Sequence, residues 1–218
     1  MKKSNVVTIL SAAVFCVLSL FGPLQAHADS VDVTLEGTGG VASGPYYVYP
    51  YNFSINESTQ LTSLMCISYT NEIGFGEQWT AVLAPVTENS QYEEAAYIFA
   101  QASAPGASES TIIDAQWANW QLFDPNDPNL LSAEPDQSDV ASLLLQASNF
   151  VQANPNASLY SDYQLYVPLD GSWPSGYGDP QTLIGLSTPT PEPASLILFG
   201  SGLLCLAFFM LIRRRRSA

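Results

Sequence analysis

The stretch Ser63-Leu64-Met65-Cys66-Ile67-Ser68-Tyr69 holds the one cysteine between the two apolar ends of this 218-residue chain. A thiol can form a disulfide, ligate a metal, act as a nucleophile or pack as a small hydrophobe. The other two cysteines, Cys16 and Cys205, lie in the apolar end segments. A disulfide at Cys66 would therefore be intermolecular. A structural zinc site needs several thiolates or imidazoles, and one thiolate does not make one.

The charged residues exclude further chemistry. All six basic residues are at the ends, as Lys2, Lys3, Arg213, Arg214, Arg215 and Arg216, and the single histidine is His27. All 20 acidic residues fall between Asp29 and Glu192. The middle of the chain therefore has no base for a Ser-His-Asp or Cys-His nucleophile. It has no cation to neutralise phosphate, so nucleic acid is not a partner. It has no lysine for an isopeptide bond, and no cation to lower the pKa of Cys66. Oxygen-only calcium coordination remains open. Asp124, Asn126 and Asp127 in "DPNDPN" lack the calcium-loop ladder, however, and read as a Pro/Asn turn. Glu93 and Glu94 are helix neighbours that diverge, a poor acid/base pair. The expectation is a protein that is not an enzyme and has no metal or cofactor.

Gln116 is the second residue with chemical potential. It sits on an apolar stripe with Ile113, Trp117, Trp120 and Phe123. A buried amide there needs a partner or costs about 1–3 kcal/mol. The run Ala115-Gln116-Trp117-Ala118-Asn119-Trp120, with Met65-Cys66-Ile67 upstream, resembles the thioester domains of bacterial surface proteins. In that family a strand cysteine joins the side-chain carbonyl of a helical glutamine and expels ammonia. The resemblance rests on Gln116, Ala118, Trp120 and Cys66. Ala115 stands where the family has threonine, and Asn119 where it has an aliphatic residue. The resemblance implies a Cys66–Gln116 thioester candidate; a buried, inert Cys66 is the competing reading.

These residues need elements to hold them. Alternating residues predict strands over 31–37, 46–56, 61–72, 77–86, 161–169 and 181–187, with Pro50 marking an edge or bulge. In the third, Leu64, Cys66 and Ser68 share one face, and Met65, Ile67 and Tyr69 share the other. Helical spacing predicts helices over 91–103, 109–124 and 138–154. Ser138 caps the last, and Val140, Leu143, Leu144, Ala147 and Val151 point inward. Trp79, Trp117 and Trp120 fall on inward faces, while Trp173 and Tyr177 sit in a Gly/Pro-rich loop. Strands, three helices, then strands imply an α+β fold: an antiparallel sheet or sandwich with a three-helix insertion.

The ends read as addresses. Lys2 and Lys3, the apolar run from Val6 to Phe21 and Ala26-His27-Ala28 form a secretory signal peptide over 1–28, for signal peptidase. The acidic extracytoplasmic domain then covers 29–188. The stretch 194–212 is 19 residues without a charge. At ~1.5 Å per residue it reaches about 28 Å, enough for a single transmembrane helix. Arg213 to Arg216 place its far end in the cytoplasm. Pro191-Glu192-Pro193, this helix and the arginine cluster, over 189–218, resemble the PEP-CTERM sorting signal of Gram-negative bacteria.

That resemblance implies recognition and tail removal by an exosortase. It also implies passage through the inner membrane as a single-pass protein, then residence at the cell surface or in the extracellular matrix. Extracellular polysaccharide or a surface macromolecule is the implied partner. The leading expectation is a non-catalytic structural or interaction role. The alternatives are a thioester-forming adhesin and, third, a carbohydrate-binding module using exposed aromatics.

Overall fold

Strand β1 (Ser30–Thr38) buries Val33 and Leu35 and leaves Thr34 between them only half-buried. Strand β6 (Gln78–Pro85) does the same with Trp79, Ala81 and Leu83. A period of two with one apolar face is the signature of a strand whose inner side meets a core. The computed structural model that places these strands describes residues 30–132, 136–155, 157–172 and 179–187.

The remaining strands are β2 (Ala42–Ser43), β3 (Tyr46–Tyr47), β4 (Tyr51–Ile55), β5 (Leu61–Cys66), β7 (Tyr163–Pro168) and β8 (Leu183–Leu186). Six of them form a closed barrel in the order β1-β4-β5-β8-β7-β6, while β2 and β3 pair as a small separate ribbon. Every pairing is antiparallel. Closure comes from β1 against β6, with Val33 opposite Trp79. The expected sheet or sandwich is thereby corrected: a barrel has no free sheet edge. The expected transmembrane helix at 194–212 lies outside the described residues. Among the described residues no helix is long and apolar enough to cross a membrane.

Between β6 and β7 come α1 (Ser90–Ser103), α2 (Glu109–Phe123), the short α3 (Pro128–Ser132) and α4 (Gln137–Ala153). The three longer helices were legible in the sequence; α3 was not. Asn89 and Ser108 cap α1 and α2 by accepting from the main-chain N–H groups of Tyr92 and Thr111. The cap of α4 is Asp136 rather than Ser138. Its carboxylate accepts from both the backbone N–H and the hydroxyl of Ser138, at 2.9 and 2.7 Å. These bonds hold the Asp136 carboxyl below the usual carboxylate range.

Two apolar cores result. Inside the barrel, Val33, Phe53, Leu64, Cys66, Trp79 and Tyr166 pack together. Between barrel wall and helices, Met65, Ile67, Leu165 and Ile184 meet Phe99, Trp117, Ala147 and Val151. Strand β5 belongs to both: Leu64 and Cys66 face inward, Met65 and Ile67 outward toward the helices. It ends at Cys66, short of the expected 72. The expected strand over 46–56 is likewise broken into β3 and β4, with Pro50 in the gap.

Candidate functional site

Cys66 and Gln116 are both fully buried, and the fold brings them together. Helix α2 lies across the outer wall at β5, and Gln116 is on the face that meets it. The Gln116 Nε2 group donates to the Cys66 main-chain carbonyl at 2.6 Å. Its Oε1 accepts from the Tyr49 N–H at 3.3 Å.

The register explains why these two partners are free. Strands β4 and β5 pair with Tyr51 opposite Leu64, and their ladder stops there. Two residues further along that register, Tyr49 would stand opposite Cys66. The side-chain amide of Gln116 occupies the place of that rung, taking the N–H of one strand and giving to the C=O of the other. It is a peptide-like group inserted into the seam between two strands. Neither main-chain group is left unsatisfied, which matters because a buried orphan costs about 1–3 kcal/mol.

The Cys66 side chain belongs to the barrel interior, where the Tyr51 hydroxyl is hydrogen-bonded to its thiol. The same hydroxyl donates to the Tyr47 carbonyl. Burial pushes the Cys66 thiol well above its ordinary range, and the bond to Tyr51 opposes that shift only in part. The thiol is therefore protonated at neutral pH. Burial also pushes Tyr51 up, reinforced by its proximity to Cys66. Asn119, one turn after Gln116, is buried too. Its Nδ2 reaches the Met65 sulfur at 2.8 Å, and its Oδ1 has no partner.

An aromatic cluster frames this seam. Trp117 and Trp120 lie with ring centroids 5.3 Å apart, edge to face. Tyr46 and Tyr69 pack edge-on against Trp120, and their hydroxyls share a hydrogen bond of 2.7 Å. The Trp117 Nε1–H donates to the Ser43 hydroxyl at 2.9 Å, tying the β2–β3 ribbon to α2. A cleft of about 620 Å³ opens beside this cluster, and Tyr51 forms part of its wall. Tyr51 thus meets both the cleft and the thiol.

Other sequence candidates are placed differently. Asp124 is occupied in accepting from the Tyr69 N–H at 3.0 Å, and Asp127 accepts from the Asn129 N–H at 2.8 Å. Among the described residues no group of three His, Cys, Asp or Glu side chains is placed to hold a metal. Glu94 is part-buried on α1, and burial raises its carboxyl. Trp173, Tyr177, the signal peptide, Pro191-Glu192-Pro193 and Arg213 to Arg216 lie outside the described residues. Sequence reasoning missed Tyr49 and Tyr51. Tyr49 acts through its backbone, which carries no residue-type signal. Tyr51 is two positions from it and would have been found only by pairing β4 against β5.

No curated protein and no solved structure matches the chain. Residues 189–216 match the PEP-CTERM protein-sorting motif. That motif marks export, sorting to the cell envelope and processing by an exosortase.

Proposed function

We propose that the barrel-and-helix domain forms an internal thioester between Cys66 and Gln116, and that the protein uses it once to attach covalently to a target at the cell surface. The supporting observation is the insertion of the Gln116 amide into the strand seam at Cys66. In the forming step the Cys66 sulfur adds to the Gln116 Cδ. The C–S bond forms, the C–N bond breaks, and the thiol proton leaves with the nitrogen as ammonia. The Tyr49 N–H, already donating to Oε1, stabilises the negative charge that develops on that oxygen. A target amine or hydroxyl then attacks Cδ. The C–S bond breaks, the nucleophile's proton passes to sulfur, and Cys66 is a thiol again. Each domain turns over once, so the protein is a covalent adhesin and not an enzyme.

A second reading is favoured by one fact: both polar atoms of the Gln116 amide are already satisfied by main-chain partners. In that reading the pair only mends the ladder, and the role is structural. Thiol labelling separates the two. The full chain is denatured, treated with maleimide and mapped at the Cys66 peptide. The thioester reading predicts a blocked Cys66 that labels only after hydroxylamine. Complete labelling without hydroxylamine would leave the structural reading standing.

The tail reading extends the sorting motif. Before cleavage, 194–212 spans the inner membrane with Arg213 to Arg216 on the cytoplasmic side. Replacing Pro191, Glu192 and Pro193 with alanine is expected to trap the uncleaved chain in the inner membrane. Normal cleavage and surface arrival of that variant would refute it.

A further inference from the structure

We infer that the cleft beside Tyr51 is a binding site for uncharged sugar units. Its wall carries Tyr46, Tyr47, Tyr69 and Trp120, together with the carboxylates Glu72 and Asp127. Tyr47 is half exposed and packs edge-on against the exposed Phe75 at 5.8 Å, so an aromatic surface stands open at the rim. A hexose ring has one flat C–H face that lies well against such a surface, and hydroxyls around its edge that need partners.

Two buried polar atoms on residues of the wall, one a donor and one an acceptor, lack partners. Trp120 is 3% exposed and Gln181 is 7% exposed, and both line the cleft. The Trp120 Nε1–H has no hydrogen-bond acceptor and the Gln181 Oε1 has no donor. Buried polar groups are rarely left in this state. An ammonium ion could satisfy the acceptor but not the donor. An anion could satisfy the donor but not the acceptor. A hydroxyl both donates and accepts. The charge points the same way. Glu72 and Asp127 both stand on the wall with no cation among the described residues to offset them, so the potential at the site is negative. That potential repels uronates and sulfated sugars. Uncharged sugars fit the aromatic faces, the orphan pair and the sign of the field together.

This site does not depend on the Cys66–Gln116 bond. Its test is native electrophoresis of the full chain in a polyoxyethylene detergent, which carries no sugar. Gels contain glucan, mannan, galactan or xylan, with alginate and polylysine gels in parallel. The expected result is retardation in at least one neutral gel, weakened about tenfold by Tyr47→Ala. Leu145→Ala, an exposed apolar residue on α4, should leave it unchanged. Mobility is read for the sugar site and intact mass for the thioester on the same sample, so that loss of the one and loss of the other are read separately. No retardation in any neutral gel would overturn the inference. So would retardation that survives Tyr47→Ala, or retardation confined to alginate or polylysine.

Discussion

At the scale of single residues, Gln116 is the hinge of the account. Its amide joins the Tyr49 N–H to the Cys66 C=O across a gap where no strand partner exists. Measured against Cys66→Ala, in which no thioester forms, the added Gln116→Ala strips both bonds. The expected loss is about 2–4 kcal/mol in chemical denaturation, with the m-value unchanged. A loss below about 0.5 kcal/mol would mean that water or a shifted backbone fills the seam. Gln116 was legible in the sequence as an amide on an apolar stripe. What it bonds was not, because its partners are main-chain groups. Asn119 was legible only as a departure from a family pattern. The structure shows its physical cost, an amide oxygen buried without a partner.

At the scale of elements, β5 carries two cores on alternate side chains. The period-two reading of Leu64 and Cys66 against Met65 and Ile67 anticipated this. The stripes of α1, α2 and α4 were legible for the same reason: they are local, set by residues within a few positions of each other; the cap of α4 was expected at Ser138 and stands at Asp136. Barrel closure was not local. It joins Ser30–Thr34 to Gln78–Val82, and nothing in either stretch names the other. Gly185 shows what closure demands. Strand β8 crosses β5 so closely that a Cβ at Gly185 would run into the Leu64 side chain. Gly185→Ala should therefore destabilise the barrel by about 1–3 kcal/mol, the ordinary cost of overpacking. A thermal midpoint equal to that of the parent protein would show that Leu64 can move aside.

At the scale of the whole molecule, the sign of the charge governs behaviour. The stretch from Asp29 to Glu192 holds all 20 acidic residues and no basic one, so no carboxylate there has a cationic side chain within that stretch to pair with. Burial raises Glu94 and Asp114, and for Asp114 the neighbouring Asp139 and Asp136 add to it. A carboxyl whose folded pKa lies above its unfolded value binds more protons when folded. Stability therefore rises as pH falls from neutral through the raised values, until the ordinary carboxylate range is reached. Asp136 acts in the opposite sense: its contribution is present above the ordinary range and is lost only as pH falls through its lowered value. The expected outcome is a melting temperature higher at mildly acidic pH than at pH 7, with the difference shrinking in added salt. A melting temperature that falls steadily on acidification from neutral would contradict it. The sign of the charge was legible in composition; the burial of Glu94 and Asp114 was not, because it depends on how the helices pack.

The central claim, a bond between Cys66 and Gln116, is tested most directly by the intact mass of the freshly purified, undenatured protein. The account predicts a chain lighter than its sequence by one ammonia, with the difference abolished in both Cys66→Ala and Gln116→Ala. A full, unmodified mass in fresh material would contradict it and leave Gln116 as a structural bridge between two strands.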